Sequence, residues 1–229
     1  HPSHMQNRYN EWVENIMWDW CISRPRYFGV PFPVRYCKDC GEAIFAREED
    51  LPVNPLSQQP HCDKCPKCGC TEFIPETDVM DTWATSSLTP QISTDLCTQK
   101  GLDDSMVPMS LRPNAHDNIR VWDFYTITKS LYHFGKLPWN DLMISGYVTS
   151  EDGSKLAKSK GNSKNTPQDI IKNYSADVTR YWANSLTLGK DTAFSFAEFE
   201  NGKKLVNKIW NVSKFVLSFL EDYTPRQIN

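Results

Sequence analysis

Apolar positions near the C-terminal end of the chain recur at intervals of three or four: Leu205, Ile209, Val212, Val216 and Leu220. That spacing predicts one stripe of a long helix, with Lys203, Lys204, Lys208 and Lys214 interspersed. Packing of the stripe on a core accounts for it, and the lysines read as a solvated face or, alternatively, as contacts to a nucleic-acid backbone. A second helical pattern, Ile119, Trp122, Phe124, Ile127, Leu131 and Phe134, is stopped by Gly135. Leu142 to Val148 and Met109 to Pro113 read as strands, and Val79 to Ser87 as a helix. Thr166-Pro167-Gln168-Asp169 supplies a hydroxyl cap and a first-position proline, a helix start. Residues 8–33 read as a short helix followed by extended chain punctuated by Pro25, Pro31 and Pro33. Strand and helix therefore alternate from Asp78 onward, which predicts an α/β fold built on a parallel, doubly wound sheet.

Twenty-five basic and 28 acidic residues give a formal charge of −3, so any nucleic-acid contact must be local. No apolar run reaches the roughly 18 residues that span a bilayer, and no secretory signal is seen, which predicts a cytoplasmic protein with no membrane partner. In a reducing compartment the 8 cysteines point to metal binding or burial rather than disulfides. Cys37-Lys38-Asp39-Cys40-Gly41 and Cys65-Pro66-Lys67-Cys68-Gly69 are two turns, each with a pair of sulfurs and a closing glycine. Two such pairs make a tetrahedral site for a borderline-soft ion, and a four-sulfur shell leaves no open position for a catalytic water. A structural Zn2+ on Cys37, Cys40, Cys65 and Cys68 is the expectation. Cys62 and Cys70 are rivals for membership, since Cys62 and Cys65 repeat the same spacing, whereas Cys21 and Cys97 read as small apolar residues.

The strand-like run at Leu142 leads into Asp152-Gly153-Ser154-Lys155-Leu156-Ala157-Lys158-Ser159-Lys160-Gly161-Asn162. Lysines are movable point charges that can follow phosphate oxygens as they gain charge, and small residues let the backbone bend around such a ligand.

Lys155-Leu156-Ala157-Lys158-Ser159 resembles the KMSKS signature of class I aminoacyl-tRNA synthetases, with Leu156 for Met and Ala157 for Ser. Asp19 to Arg24, Asp78 to Ser87, Arg112 to Arg120 and Ser175 to Trp182 follow in that family's order and are similar to its valyl-tRNA synthetase branch. The Asp81-Thr82-Trp83 spelling, continued by Thr85-Ser86-Ser87, looks valyl rather than isoleucyl. An isoleucyl or leucyl relative is the runner-up. The family's other signature, a His-x-Gly-His tetrad, is not in this sequence.

The resemblance implies the second half of a Rossmann-like nucleotide-binding sheet, with an inserted zinc ribbon and a C-terminal helical stem-contact region. The N-terminal half of the catalytic domain and the editing domain would be missing. It divides the chain into cloning residue at 1–5, a lead-in segment at 6–33, the ribbon at 34–75, the half-sheet with the lysine loop at 76–165, and stem-contact and first anticodon-binding helices at 166–229. It implies valine, ATP with Mg2+ and tRNA(Val) as partners. Lys158 would stabilise charge at the phosphates, with Lys155 and Ser159 in support. Asp117, with His116 beside it, would bind the nucleotide, where the family's Gly-x-Asp is Ala115-His116-Asp117 here. Capping of the next helix is the plain alternative for Asp117. Asp78 would take the valine ammonium and Trp83 the isopropyl group, with Tyr27 and Phe28 as a second wall. Arg24 and Arg180 read as ion-paired scaffold. The rival of another class is a zinc-ribbon nucleic-acid-binding module, which would have no use for Asp78, Asp117 and Lys158.

Overall fold

A computed structural model describes residues 1–102, 106–150, 153–156, 161 and 166–224. Lys158, Ser159 and the acidic pair Asp103-Asp104 lie outside the described residues. The chain divides into two compact units.

One unit comprises Gln6–Arg112 and Asp117–Asp141. It receives helix α1 (His4–Asn15), then strand β1 (Ser23–Arg24), the ribbon strands β2 (Val34–Cys37), β3 (Ala43–Phe45) and β4 (Phe73–Pro75), and strand β5 (Val79–Met80). β1 and β5 pair antiparallel, Ser23 with Met80 and Arg24 with Val79. The ribbon strands form an antiparallel sheet in the order β3-β2-β4. Where a helix was expected from Val79, two strand residues come first, and helix α2 (Thr82–Ser86) starts only after Asp81. β-Branched Val79 prefers the pleated sheet, while Asp81 caps the helix, accepting a hydrogen bond from the Trp83 N–H at 2.6 Å. Helix α3 (Thr89–Gln99) follows, and helix α4 (Trp122–Phe134) carries the expected apolar pattern. Gly135 ends α4 in the left-handed conformation at φ 64°, as its position in the sequence predicts.

α2 is too short to satisfy its own C-terminal carbonyls, and α4 supplies the donors. Trp122 Nε1 reaches Ser86 O at 3.0 Å and Lys129 Nζ reaches Ala84 O at 2.6 Å. Burial lowers the pKa of that lysine. The Trp122 ring stacks on Trp139, and the Arg112 guanidinium lies 4.2 Å from its centre. Asp123, fully buried at the start of α4, is pushed up to about 7, first by burial and further by the charge of Asp117, with Arg112 opposing.

The other unit comprises His1–Met5, Pro113–His116 and Leu142–Asn229. It holds the ends of two paired strands, β6 (Met109–Ala115) and β7 (Trp139–Ser145), whose first residues belong to the other unit, and β8 (Val148–Thr149) runs parallel to β9 (Thr192–Ala193). The expected single strand to Val148 is broken between β7 and β8, where Gly146 packs on the chain at Lys190: a Cβ there would lie 2.0 Å from the Lys190 carbonyl oxygen. The doubly wound sheet appears among the described residues only as these paired strands. Helix α5 (Pro167–Tyr174) begins with a full capping box between Thr166 and Asp169, as its sequence signals. Helices α6 (Ala176–Ser185) and α7 (Phe196–Ser218) complete a small core around Ile170, Val178 and Phe199.

His1 to Met5, expected to be cloning residue, pack in this unit: Met5 is buried, and the Ile144 N–H donates to the His1 carbonyl at 2.7 Å. One expectation fails here. The α7 stripe is not packed on a core beyond its first half, for Ile209, Val212 and Val216 are all about half exposed or more. Only Phe199 and Gly202 of α7 are fully buried, because the described residues end their packing against α7 near Val206.

The shift at Asp123 fixes a pH response. Its folded pKa lies above the ordinary 3.8, so the unfolded chain loses this proton first and stability falls as pH rises from about 4 to about 7. Asp123→Asn should remove that slope, making the variant more stable than wild type at pH 8 by roughly 1–4 kcal/mol while the two converge near pH 4. Urea unfolding of both proteins at the two pH values reads the difference.

Candidate functional site

The four-cysteine cluster is assembled by two turns with the same hydrogen bonding. Gly41 N–H donates to Cys37 O and Gly69 N–H to Cys65 O, both at 2.9 Å, and the glycines sit at φ 69° and 77°. β2 and β3 hold the first turn, and the second closes where Cys65 N–H meets Cys70 O at 2.8 Å. The sulfurs of Cys37, Cys40, Cys65 and Cys68 all lie within 4.8 Å of one another. Cys37 to Cys68 is 3.5 Å and Cys40 to Cys65 is 3.7 Å. A tetrahedron of thiolates at about 2.3 Å from a zinc-sized ion has edges of about 3.8 Å, so the donor set fits a metal ion. Cys70 is turned to its own loop, its sulfur bonded to the backbone of Glu72, and neither it nor Cys62 belongs to the cluster.

Charge within the cluster favours a cation. The backbone N–H of Cys40, aided by that of Asp39 and by the Cys68 sulfur, lowers Cys37 to about 6. The backbone N–H of Cys70 pulls Cys68 down, but the sulfurs of Cys37, Cys40 and Cys65 outweigh it and push the thiol up to about 12. One proton leaves readily and the next are held back by accumulating negative charge, a state that a central dication reverses.

A second constellation surrounds β5. Asp81 is buried, ion-paired to the Arg24 guanidinium, and receives the Trp83 N–H; its own N–H donates to Ile22 O at 2.7 Å. Arg24 also donates to the carbonyls of Cys21 and Ser23, both at 2.7 Å, which makes it the scaffold residue its sequence context suggested. Asp78 and Trp83 thus stand at the two ends of one short, tied segment, Asp78 half-buried and Trp83 38 % exposed. Gly29 packs directly on Val79, so the Tyr27-Phe28 loop passes over β5. Tyr27 and Phe28 contact each other edge to face and are 92 % and 85 % exposed. Cys21, read as a small apolar residue, is instead exposed, with its thiol lowered by hydrogen bonds to Ser23.

The third grouping belongs to the unit that carries the lysine loop. From β8 the chain turns at Gly153, φ 81°, and Lys155 bridges back to Thr149. Its ammonium lies 3.8 Å from the centre of the Tyr147 ring. His116 packs edge to face on the same ring at 4.2 Å. Asp191 ties both together: one carboxylate oxygen meets His116 Nε2 at 2.9 Å and accepts the Tyr147 N–H at 2.8 Å. Asp117 lies in the first turn of a 3-10 helix (His116–Arg120), and the residue that precedes α4 is Val121, so Asp117 does not cap α4. Arg180 pairs with Asp177, both exposed.

Sequence reasoning missed Asp81, Asp123 and Asp191. The first was legible as an aspartate immediately before a helix. Asp191 gives no local signal, being 44 residues from Tyr147 and 75 from His116.

Replacing Asp81 with Ala removes both a helix cap and the partner of a largely buried guanidinium. The expected cost is roughly 2–4 kcal/mol of stability, and Trp83 should lose its fixed setting. Chemical denaturation measures the first, and the 15N–1H indole resonance of Trp83 the second.

A family model for the class I tRNA synthetases (I, L, M and V) matches residues 1–195. Among similar curated proteins, the valine–tRNA ligase of Rickettsia conorii is 48 % identical over 224 residues, 94 % of this chain and 27 % of that protein. That of Methanococcus maripaludis is 45 % identical over 99 % of this chain and 25 % of its own length, and that of Wolbachia pipientis wMel is 46 % identical over 100 % and 27 %. The chain thus spans about a quarter of the relatives it matches. The fold is similar to that of a LeuRS from Agrobacterium radiobacter K84, solved as a ternary complex with tRNA and LeuAMS, at a TM-score of 0.70 and 21 % identity over 98 % of this chain and 32 % of that one. With 195 of its residues accounted for by one model, and valine–tRNA ligases similar to nearly its whole length, this chain belongs to the class I tRNA synthetases of the I, L, M and V group.

Proposed function

We propose that this chain is a catalytic-domain portion of a valine–tRNA ligase, which in the intact enzyme joins valine to AMP from ATP and transfers it to tRNA(Val). The observation that carries this reading is identity of 45–48 % to valine–tRNA ligases over nearly the entire chain. A free-standing zinc-ribbon module is displaced by the same finding, because the family match runs far beyond the ribbon.

Activation requires the amino acid carboxylate in line with the α-phosphorus while pyrophosphate leaves, a step carried by positioning and charge stabilisation. We assign the valine ammonium to Asp78 and the isopropyl group to Trp83, with Tyr27 and Phe28 exposed and free to close as a second wall. Asp117 and His116 serve the nucleotide, and Lys158, supported by Lys155 and Ser159, neutralises phosphate charge. The cation–π seat of Lys155 on Tyr147 gives that ammonium a resting place. The sheet strands β6 and β7 correspond to the second half of a Rossmann-like domain, residues 34–75 to its ribbon, and 166–229 to the stem-contact and first anticodon-binding helices. The N-terminal half of the catalytic domain and the editing domain would come from the rest of such an enzyme, and Mg2+ with the ATP. Among the described residues no helix is long and apolar enough to cross a membrane, and we assign the cytoplasm as its compartment.

The cluster would hold Zn2+ through Cys37, Cys40, Cys65 and Cys68, fixing the ribbon and supplying no catalytic water. Metal analysis of the purified chain should give about one zinc per molecule, with stability lost on chelation or in Cys65→Ser. A zinc-free chain of unchanged stability contradicts the assignment.

By itself the chain should give no valine-dependent pyrophosphate exchange. Carried in a full-length relative, the equivalent of Lys158→Ala should slow valine activation by roughly 10²–10³-fold with little change in valine affinity. Pre-steady-state kinetics separates the two terms, and a change confined to valine affinity would refute the role.

A further inference from the structure

We infer that Lys129 is a positioning residue for valine selection: by capping α2 from α4 it fixes the setting of Trp83, and with it the wall that excludes a longer side chain. The inference rests on the assignment of the isopropyl group to Trp83 made above. α2 spans only Thr82–Ser86, so its own hydrogen bonds fix little and its direction is set from outside. At its start Asp81 accepts the Trp83 N–H at 2.6 Å. At its end two donors arrive from α4, Lys129 Nζ on Ala84 O at 2.6 Å and Trp122 Nε1 on Ser86 O at 3.0 Å. Ala84 directly follows Trp83 and is itself buried, so its carbonyl has little water to turn to when the lysine is removed.

Three features single out Lys129 among the groups that hold this end of α2. Its hydrogen bond is charge-assisted, and so about twice as strong as the neutral one that the Ser87 hydroxyl makes to the same carbonyl at 3.0 Å. Its place is costly, because burial lowers its pKa, a penalty that an apolar side chain of the same length would avoid. It also reaches a second segment: the ammonium lies 5.9 Å from the centre of the Trp20 ring, and Trp20 stacks flat on Tyr125 of α4 at 3.6 Å. Trp20 leads into β1, and the Tyr27-Phe28 loop follows that strand. One ammonium therefore joins the helix that carries one proposed wall to the segment that leads to the other. Lys129 itself need not touch the ligand, since a small shift of α2 is enough to alter the fit at Trp83.

Titration of the full chain with valyl- and leucyl-adenylate analogues, followed by the 15N–1H indole resonance of Trp83, tests this. Lys129→Met keeps the aliphatic length and removes the donor. It should displace the Trp83 resonance in the free chain and lower the preference for the valyl over the leucyl analogue about tenfold, within the roughly 10–200-fold that one methylene commands in a shaped pocket. Lys129→Arg, which still donates, should restore both. Lys129→Gln, a shorter neutral donor, should fall between them and carries the same test should the methionine variant not fold. An unmoved Trp83 resonance, or equal weakening of both analogues as plain loss of stability produces, would overturn the proposal. A wild-type chain that binds both analogues alike would instead refute the valyl assignment, and the Trp83 resonance of the free variants would still decide the role of Lys129.

Discussion

The ion pair between Arg24 and Asp81 is the contact on which the geometry around the proposed valine site depends. Asp81 is almost without solvent. It meets three demands at once: the guanidinium of β1, the Trp83 N–H in the first turn of α2, and, through its own backbone, the chain at Ile22. Removing any one partner leaves a buried group unsatisfied, so the segment from β5 to α2 has little freedom to shift. Asp78 and Trp83 inherit that rigidity from residues that need never touch a ligand, which is how binding groups are held within a fraction of an ångström.

The unit carrying the lysine loop uses a different device. Asp191 binds His116 and the Tyr147 N–H with the same oxygen, while Gly146 lets the chain at Lys190 approach to a distance no side chain would allow. The turn that leads to Lys155 is therefore anchored at its base. The cation–π contact between Lys155 and Tyr147 adds about a kilocalorie at a surface.

Legibility followed range. The helix of 122–134, the Thr166 start signal and the two cysteine turns were readable because each is specified within a few residues, by period, cap or glycine. The choice of Cys65 and Cys68 over Cys62 and Cys70 rested on a closing glycine, and the geometry agrees. What escaped depends on long-range partners. Nothing beside Asp191 announces that it will meet residues 44 and 75 positions away, and nothing beside Asp123 announces its burial. The α7 stripe shows the opposite failure: a correct period does not say whether anything is there to cover it. The roles of Lys158 and Ser159 came from resemblance alone.

The most direct test of the valyl assignment is binding specificity in this chain, read residue by residue. Titration with a non-hydrolysable valyl-adenylate analogue, followed by the 15N–1H indole resonance of Trp83, should show saturable binding that is weakened in Asp78→Asn and much weaker with the leucyl analogue. Binding that ignores the amino acid side chain, or that leaves Trp83 and the Asp78 variant unaffected, would contradict the account.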